Sequence, residues 1–104
     1  MKKLALLSAL AASAFVATPA MADPTASMTK AGCMACHAKD KKLVGPSFQE
    51  IAAKYKGKGA EETLFAKVRK GGAGSFGPVP MVPNGPDKIS DADLKAAIDF
   101  ILKS

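Results

Sequence analysis

The chain's two cysteines and its one histidine fall together as Cys33-Met34-Ala35-Cys36-His37. This C-x-x-C-H spacing is that of a covalent haem attachment turn. It constrains the fold more than any other feature, because a macrocycle tethered there must be wrapped by the rest of the chain. Thiols three positions apart on one helical turn meet the two vinyl groups along one porphyrin edge and form two thioethers. The histidine that follows swings under the ring, where a neutral imidazole nitrogen serves as the proximal iron ligand. Redox chemistry then belongs to the iron. Competing readings account for less. Structural zinc takes four ligands, and the chain offers three soft ones. A redox dithiol belongs beside a βαβ pattern, and no alternating run lies near Cys33. A plain disulfide of an exported protein leaves the histidine unexplained.

Lys2 and Lys3 open the chain, an apolar stretch runs from Leu4 to about Ala17, and Ala20-Met21-Ala22 precedes Asp23. This is the pattern of a secretory signal, residues 1–22, cleaved after Ala22. The stretch is shorter than the roughly 20 residues that cross a bilayer, and no second hydrophobic run follows. The expected mature domain, 23–104, is exported, soluble and without membrane insertion. Removing 22 of the 104 residues leaves 82, and the loss of two lysines takes the net charge from +6 to +4. A chain of that length forms one domain and buries a modest core, so an apolar macrocycle held inside is part of that core.

Helical spacing dominates the mature chain. Asp23 or Thr25 caps a first helix, with Pro24 in its first turn and the C-x-x-C-H turn at its C-terminal end. Gly32 within that helix implies either simple tolerance or close approach of another backbone. A second, short helix starts at Gly45-Pro46-Ser47-Phe48, with Pro46 in its first turn and Ile51, Ala52 and Tyr55 on one face, and ends near Gly57. A third runs from about Ala60 through Leu64, Phe65 and Val68 to basic Lys67, Arg69 and Lys70, and stops at Gly71-Gly72. Ser90 with Asp93 starts a terminal helix whose face is Leu94, Ala97, Ile98, Ile101 and Leu102, and which crosses the first. Between them, Gly72 to Ile89 is a glycine- and proline-rich stretch too long for a mere connection. No segment reads as a sustained strand, so the fold class is all-α.

Iron on His37 has a sixth position, and no second histidine exists to fill it. The candidates are Met28, Met34 and Met81, or an amine. Met34 lies inside the attachment turn and cannot reach the opposite face. Met28 faces the expected core, where a thioether usually packs. Met81 sits within Val79-Pro80-Met81-Val82-Pro83, a loop stiffened by prolines that can hold one thioether outward.

With these residues the sequence resembles a short bacterial class I cytochrome c of the c-551/c-552 group, over essentially the whole mature chain. The resemblance rests on C-x-x-C-H, Val44-Gly45-Pro46, Ala52-Ala53-Lys54-Tyr55 and Gly77-Pro78-Val79-Pro80-Met81 with Asn84 following. It implies the small cytochrome c fold, about four helices around one covalently attached haem c, with His37 and Met81 on the iron and Cys33 and Cys36 on the macrocycle. It also implies that the Pro46 carbonyl meets the outer nitrogen of His37, that Asn84 orients the Met81 sulfur, and that Lys67 approaches a haem propionate. Three positions depart from the pattern: Phe76 stands where tryptophan is usual and has no indole donor, Val82 replaces a common proline, and Met28 replaces an aromatic.

The function implied is a periplasmic monomeric one-electron carrier and not an enzyme. Its redox partners would be a membrane quinol-cytochrome c reductase and a terminal oxidase, nitrite reductase or peroxidase. Lys39, Lys41 and Lys42, and Lys54, Lys56 and Lys58, form either a solvated face or a positive rim that steers acidic partners. Nucleic acid is not expected as a partner of an exported chain with one tyrosine, no tryptophan and no helix-turn-helix pattern. Two alternatives stay open: a haem-based ligand sensor or small peroxidase with an open sixth position, and a bound subunit of a larger oxidoreductase. Peroxide chemistry normally needs a distal acid or base, and the residues around Met81 are apolar residues, prolines and Asn84.

Overall fold

The computed structural model describes Ser13 and residues 23–104. The expected signal segment 1–22 lies, apart from Ser13, outside the described residues. Four α-helices follow in order: α1 Pro24–Ala31, α2 Phe48–Tyr55, α3 Glu61–Lys70 and α4 Asp91–Leu102, with a 3-10 turn at Cys33–Ala35 between α1 and α2. The only β pairing among the described residues is two isolated bridges, His37 with Lys42 and Gly72 with Met81. The all-α expectation holds.

Each helix starts and stops for a local reason. The Asp23 carboxylate accepts the Thr25 amide at 3.0 Å, ahead of Pro24 at the first helical position of α1. At α2, Ser47 and Glu50 form a reciprocal capping box, with the Ser47 amide on the Glu50 carboxylate at 3.0 Å and the Glu50 amide on Ser47 Oγ at 3.1 Å. Glu61 and Glu62 open α3, and Lys67, Arg69 and Lys70 close it, matching the helix dipole at both ends. Ser90 Oγ accepts the Asp93 amide at the start of α4.

Two expectations need correction. The attachment turn is not the end of the first helix: α1 stops at Ala31, and Gly32 is its left-handed cap at φ 88°, donating to the Met28 and Thr29 carbonyls. A Cβ on Gly32 would meet nothing within 4 Å, so the glycine answers a backbone angle and not a close neighbour. Nor does Pro46 lie in the first turn of α2, since it precedes the capping residue Ser47.

α4 packs against each of the other three helices. Its Leu94, Ala97, Ile98 and Leu102 join Met28 of α1, Phe48 of α2 and Ile89 in one buried cluster, and Ile101 is half-buried beside it. Met28 is 1% exposed, so its thioether is a core group as expected. Burying a large apolar side chain contributes about 1.5–3 kcal/mol. So few buried residues make a thin core, and beside it the helices leave a cavity of about 650 Å³.

Candidate functional site

Cys33, Cys36, His37 and Met81 all line that cavity, together with Lys67 and Asn84. Segments far apart in sequence bring them there, and each is set by backbone contacts that can be traced.

The 3-10 turn carries Cys33, and the chain then doubles back so that residues 45–46 lie against His37. The Gly45 amide donates to the Cys36 carbonyl at 2.8 Å, and the Phe48 and Gln49 amides donate to Ala38 and Lys39 at 2.9 and 3.0 Å. This return places His37 Nδ1 2.7 Å from the Pro46 carbonyl oxygen. A carbonyl only accepts, so Nδ1 carries a proton and donates, which in the neutral imidazole leaves the lone pair on Nε2. Gly45 lies against the ring: a Cβ there would sit 2.6 Å from Cε1 and 3.0 Å from Nδ1. Phe48 stacks on the ring at 5.8 Å and 22°, and Phe48 in turn meets Phe100 of α4 edge-on at 6.4 Å.

Cys33 and Cys36 are both free thiols, half-buried. Burial pushes the Cys33 thiol above its usual range, the backbone hydrogen bond at Cys33 works against that, and the neighbouring Cys36 adds to it. Among the described residues no three His, Cys, Asp or Glu side chains converge as a metal-holding group.

Met81 is fixed from the other end of the sequence. Its amide donates to the Gly72 carbonyl at 3.0 Å, and the Gly72 amide returns the bond at 2.9 Å. Gly71, at φ 67°, lets the strand pass: a Cβ there would collide with the Met81 carbonyl oxygen and lie 2.8 Å from Pro83 N. Asn84 is buried, with its amide on the Val68 carbonyl and its side-chain Nδ2 on the Val82 carbonyl, both at 2.9 Å. Lys67 reaches to 3.6 Å from where a Cβ on Gly72 would stand.

The structural roles of two residues were not legible in the sequence. Arg69, taken there only as a basic helix end, sends Nη1 to the Asn84 and Ile89 carbonyls at 3.2 and 2.8 Å and Nη2 to Asp91 at 2.6 Å. Lys54, taken as part of a charge cluster, donates to the Ser75 carbonyl and lies 4.6 Å from the Phe76 ring centroid. Their partners stand 15 to 22 positions away, where no periodicity signals them.

The cavity volume is within the roughly 300–1,000 Å³ of cofactor sites. Two unpaired thiols, an imidazole with a bare nitrogen and a thioether on its lining fit an iron macrocycle attached through sulfur. An all-α shell built around such a cavity defines a small haem protein with a tethered cofactor. Comparisons with known proteins narrow the class. The sequence profile of the cytochrome c family matches residues 22–104. Cytochrome c2 of Rubrivivax gelatinosus is 55% identical over 84 residues, 80% of this chain and 99% of the relative. Cytochrome c-551 of Pseudomonas aeruginosa is 41% identical over 104 residues, 98% of this chain and 97% of the relative. The crystal structure of wild-type cytochrome c552 of Nitrosomonas europaea superposes with a TM-score of 0.68 at 41% identity, over 76% of this chain and 96% of that one. The chain belongs to the cytochrome c family, as a small class I c-type cytochrome. It thus carries covalently attached haem c with its iron and is a monohaem electron carrier serving redox partners.

Proposed function

We propose that this chain is a soluble, monomeric, periplasmic one-electron carrier whose iron is held between His37 and Met81 and whose macrocycle is bonded to Cys33 and Cys36. The observation that carries this reading is the convergence of those four side chains on one cavity, with His37 Nδ1 already committed to Pro46. When bound, the haem iron supplies the one-electron step.

The chain's own residues supply a fixed setting. The Pro46 carbonyl holds the tautomer in which Nε2 is the donor nitrogen, and Gly45 and Phe48 restrict the ring's tilt. Paired backbone bonds to Gly72 fix the main chain of Met81. Asn84 orients the thioether with the part of its amide not used on Val82, and Lys67 neutralises a propionate at the cavity edge. The domain that does this is 23–104. Ligands held so firmly by their own chain move little when the charge changes, which suits electron transfer and not turnover of a substrate. Val79, Pro80, Val82 and Pro83 around Met81 offer no acid or base for peroxide chemistry, which favours a carrier over a peroxidase.

Lys2, Lys3, the apolar 4–17 stretch and Ala20-Met21-Ala22 support export through a signal segment cleaved after Ala22. Among the described residues no helix is long and apolar enough to cross a membrane. Lys39, Lys41, Lys42, Lys56 and Lys58 are exposed and supply the positive rim for acidic partners, a quinol-cytochrome c reductase as donor and a terminal oxidase, nitrite reductase or peroxidase as acceptor. Met81→Ala tests the ligand assignment: the haem stays attached and the reduced iron binds carbon monoxide. A variant that still refuses carbon monoxide puts the sixth ligand elsewhere.

A further inference from the structure

We propose that Lys54 is a positioning residue for Met81, latching the tip of the 72–81 loop onto α2 and so setting how firmly the thioether stays on the iron. This rests on the reading of Met81 as the second axial ligand.

The loop has little of its own to hold it. Pro78 and Pro80 carry no amide proton. The backbone bonds inside the loop are the pair between Gly72 and Met81 and one from the Gly74 amide to the Gly77 carbonyl at 2.9 Å. Gly72, Gly74 and Gly77 all lie at φ between 103° and 108°, a region that only glycine enters at low cost, so these positions are also the freest in the unfolded loop. A narrow two-ended clip with a glycine-rich tip opens easily unless something outside restrains it.

Lys54 is that restraint. Among the described residues its ammonium makes the one side-chain hydrogen bond that reaches residues 72–81 from another element, to the Ser75 carbonyl. It also lies 4.6 Å from the Phe76 centroid and 5.4 Å from that of Tyr55, and the two rings meet edge-on at 6.2 Å. A charged donor on a carbonyl is stronger than a neutral one, and the cation also lies over two aromatic faces. The C-terminal part of the irregular stretch is held differently, by Arg69 on the carbonyls of Asn84 and Ile89. The tip therefore hangs on Lys54, while the return leg is secured independently.

Imidazole binding to the oxidised, haem-loaded protein tests the latch, because imidazole reaches the iron only when Met81 leaves. The wild-type optical spectrum is read first for the sulfur-to-iron charge-transfer band of methionine ligation. Imidazole titrations of wild type, K54M, K54R and K56M then follow the loss of that band, with denaturant midpoints measured alongside. K54M is expected to bind imidazole about fivefold more tightly than wild type, the factor a lost contact of this kind gives. K54R keeps a donor for Ser75 and a cation for Phe76 and should return close to wild type. K56M removes the same charge two residues on, at the C-terminal cap of α2, and should change nothing. Unchanged imidazole affinity in K54M, even with a lower unfolding midpoint, overturns the proposal, since Lys54 would then support the fold without acting on Met81. An equal rise in K56M overturns it too, by assigning the effect to net charge. Absence of the band in wild type removes Met81 from the iron and the latch with it, a failure seen before any variant is made.

Discussion

Replacing Gly45 by alanine loads the histidine clamp through shape alone. The added Cβ would lie 2.6 Å from Cε1, 3.0 Å from Nδ1 and 3.2 Å from Nε2 of His37. Ordinary carbon contacts begin near 3.5 Å, so the ring must recede by about 0.9 Å or the backbone must yield by as much. The ring cannot recede freely, because Phe48 stacks on it and Phe48 is 2% exposed in the core. Withdrawal from the 45–46 backbone also stretches the 2.7 Å bond to the Pro46 carbonyl towards the length at which it ceases to be a hydrogen bond. Overpacking costs roughly 1–3 kcal/mol and the weakened bond about 1 more. A total of about 2–4 kcal/mol follows, which for a domain of this size lowers Tm by at least about 8 °C. The assay is thermal unfolding of the haem-loaded G45A protein beside wild type, with the carbonyl–imidazole bond followed by the His37 Nδ1 proton resonance. A Tm within about 2 °C of wild type, with that resonance in place, would refute the claim that Gly45 is small because the imidazole needs the room.

Three other outcomes follow from the geometry. Ser47→Ala removes the hydroxyl arm of the capping box, from the Glu50 amide to Ser47 Oγ, and keeps the arm from the residue 47 amide to the Glu50 carboxylate, so it should cost about 1 kcal/mol in denaturant titration while leaving haem content unchanged. Arg69→Leu keeps the packing bulk but strips the Asn84 and Ile89 carbonyls of their donor, for an expected loss of about 2–3 kcal/mol. R69K should recover only part of that, since an ammonium does not span three acceptors as a guanidinium does, and the exposed Asp91 contributes little. Electron transfer to an acidic partner should slow severalfold as ionic strength rises and the screening length contracts from about 30 Å at 0.01 M to about 10 Å at 0.1 M. Stopped-flow rates indifferent to salt would remove the docking role of the lysines.

What could be read from the sequence divides by the range of the interaction. The boundaries of α3 and α4 were legible because Gly71, Ser90 and the apolar spacing act within a few residues. Met28 as a core residue followed from the same spacing. Gly32 was seen but misread: with C-x-x-C-H assumed to continue the first helix, the left-handed cap that ends it was not among the explanations weighed. Pro46 was misplaced by two residues, because a proline suits both the first helical turn and the position before the cap. Cys33, Cys36 and His37 announced themselves by type and spacing. Their setting did not, since the stack on Phe48 and the contact with Gly45 depend on how the chain returns across the 37–48 loop. The contacts of Lys54 and Arg69 were invisible for a simpler reason. A lysine that will find a carbonyl 21 positions on reads, in sequence, like any solvated lysine.

The two sides of the cavity are secured by different physics. On the His37 side, shape does the holding: the Gly45 backbone lies so close that a Cβ would not fit against the ring, Phe48 stacks on it, and Phe100 continues the contact into α4. On the Met81 side, charge and hydrogen bonding hold a loop that buries little: Val79 and Val82 stand 58% and 65% exposed, and Lys54 and Arg69 grip it by its carbonyls. Core substitutions should thus act through the imidazole, and surface charge changes through the thioether. Lys54 and Arg69 hydrogen-bond Ser75, Asn84 and Ile89 and not the Gly45, Phe48 and Phe100 set, so apart from helix α2 and the shared iron the effects should add. Unfolding free energies of G45A, K54M and the double variant measure this directly, and independence requires a coupling below about 0.5 kcal/mol. A larger coupling would mean that the loop and the histidine turn are one mechanical unit, and that whatever loosens Met81 also loosens His37.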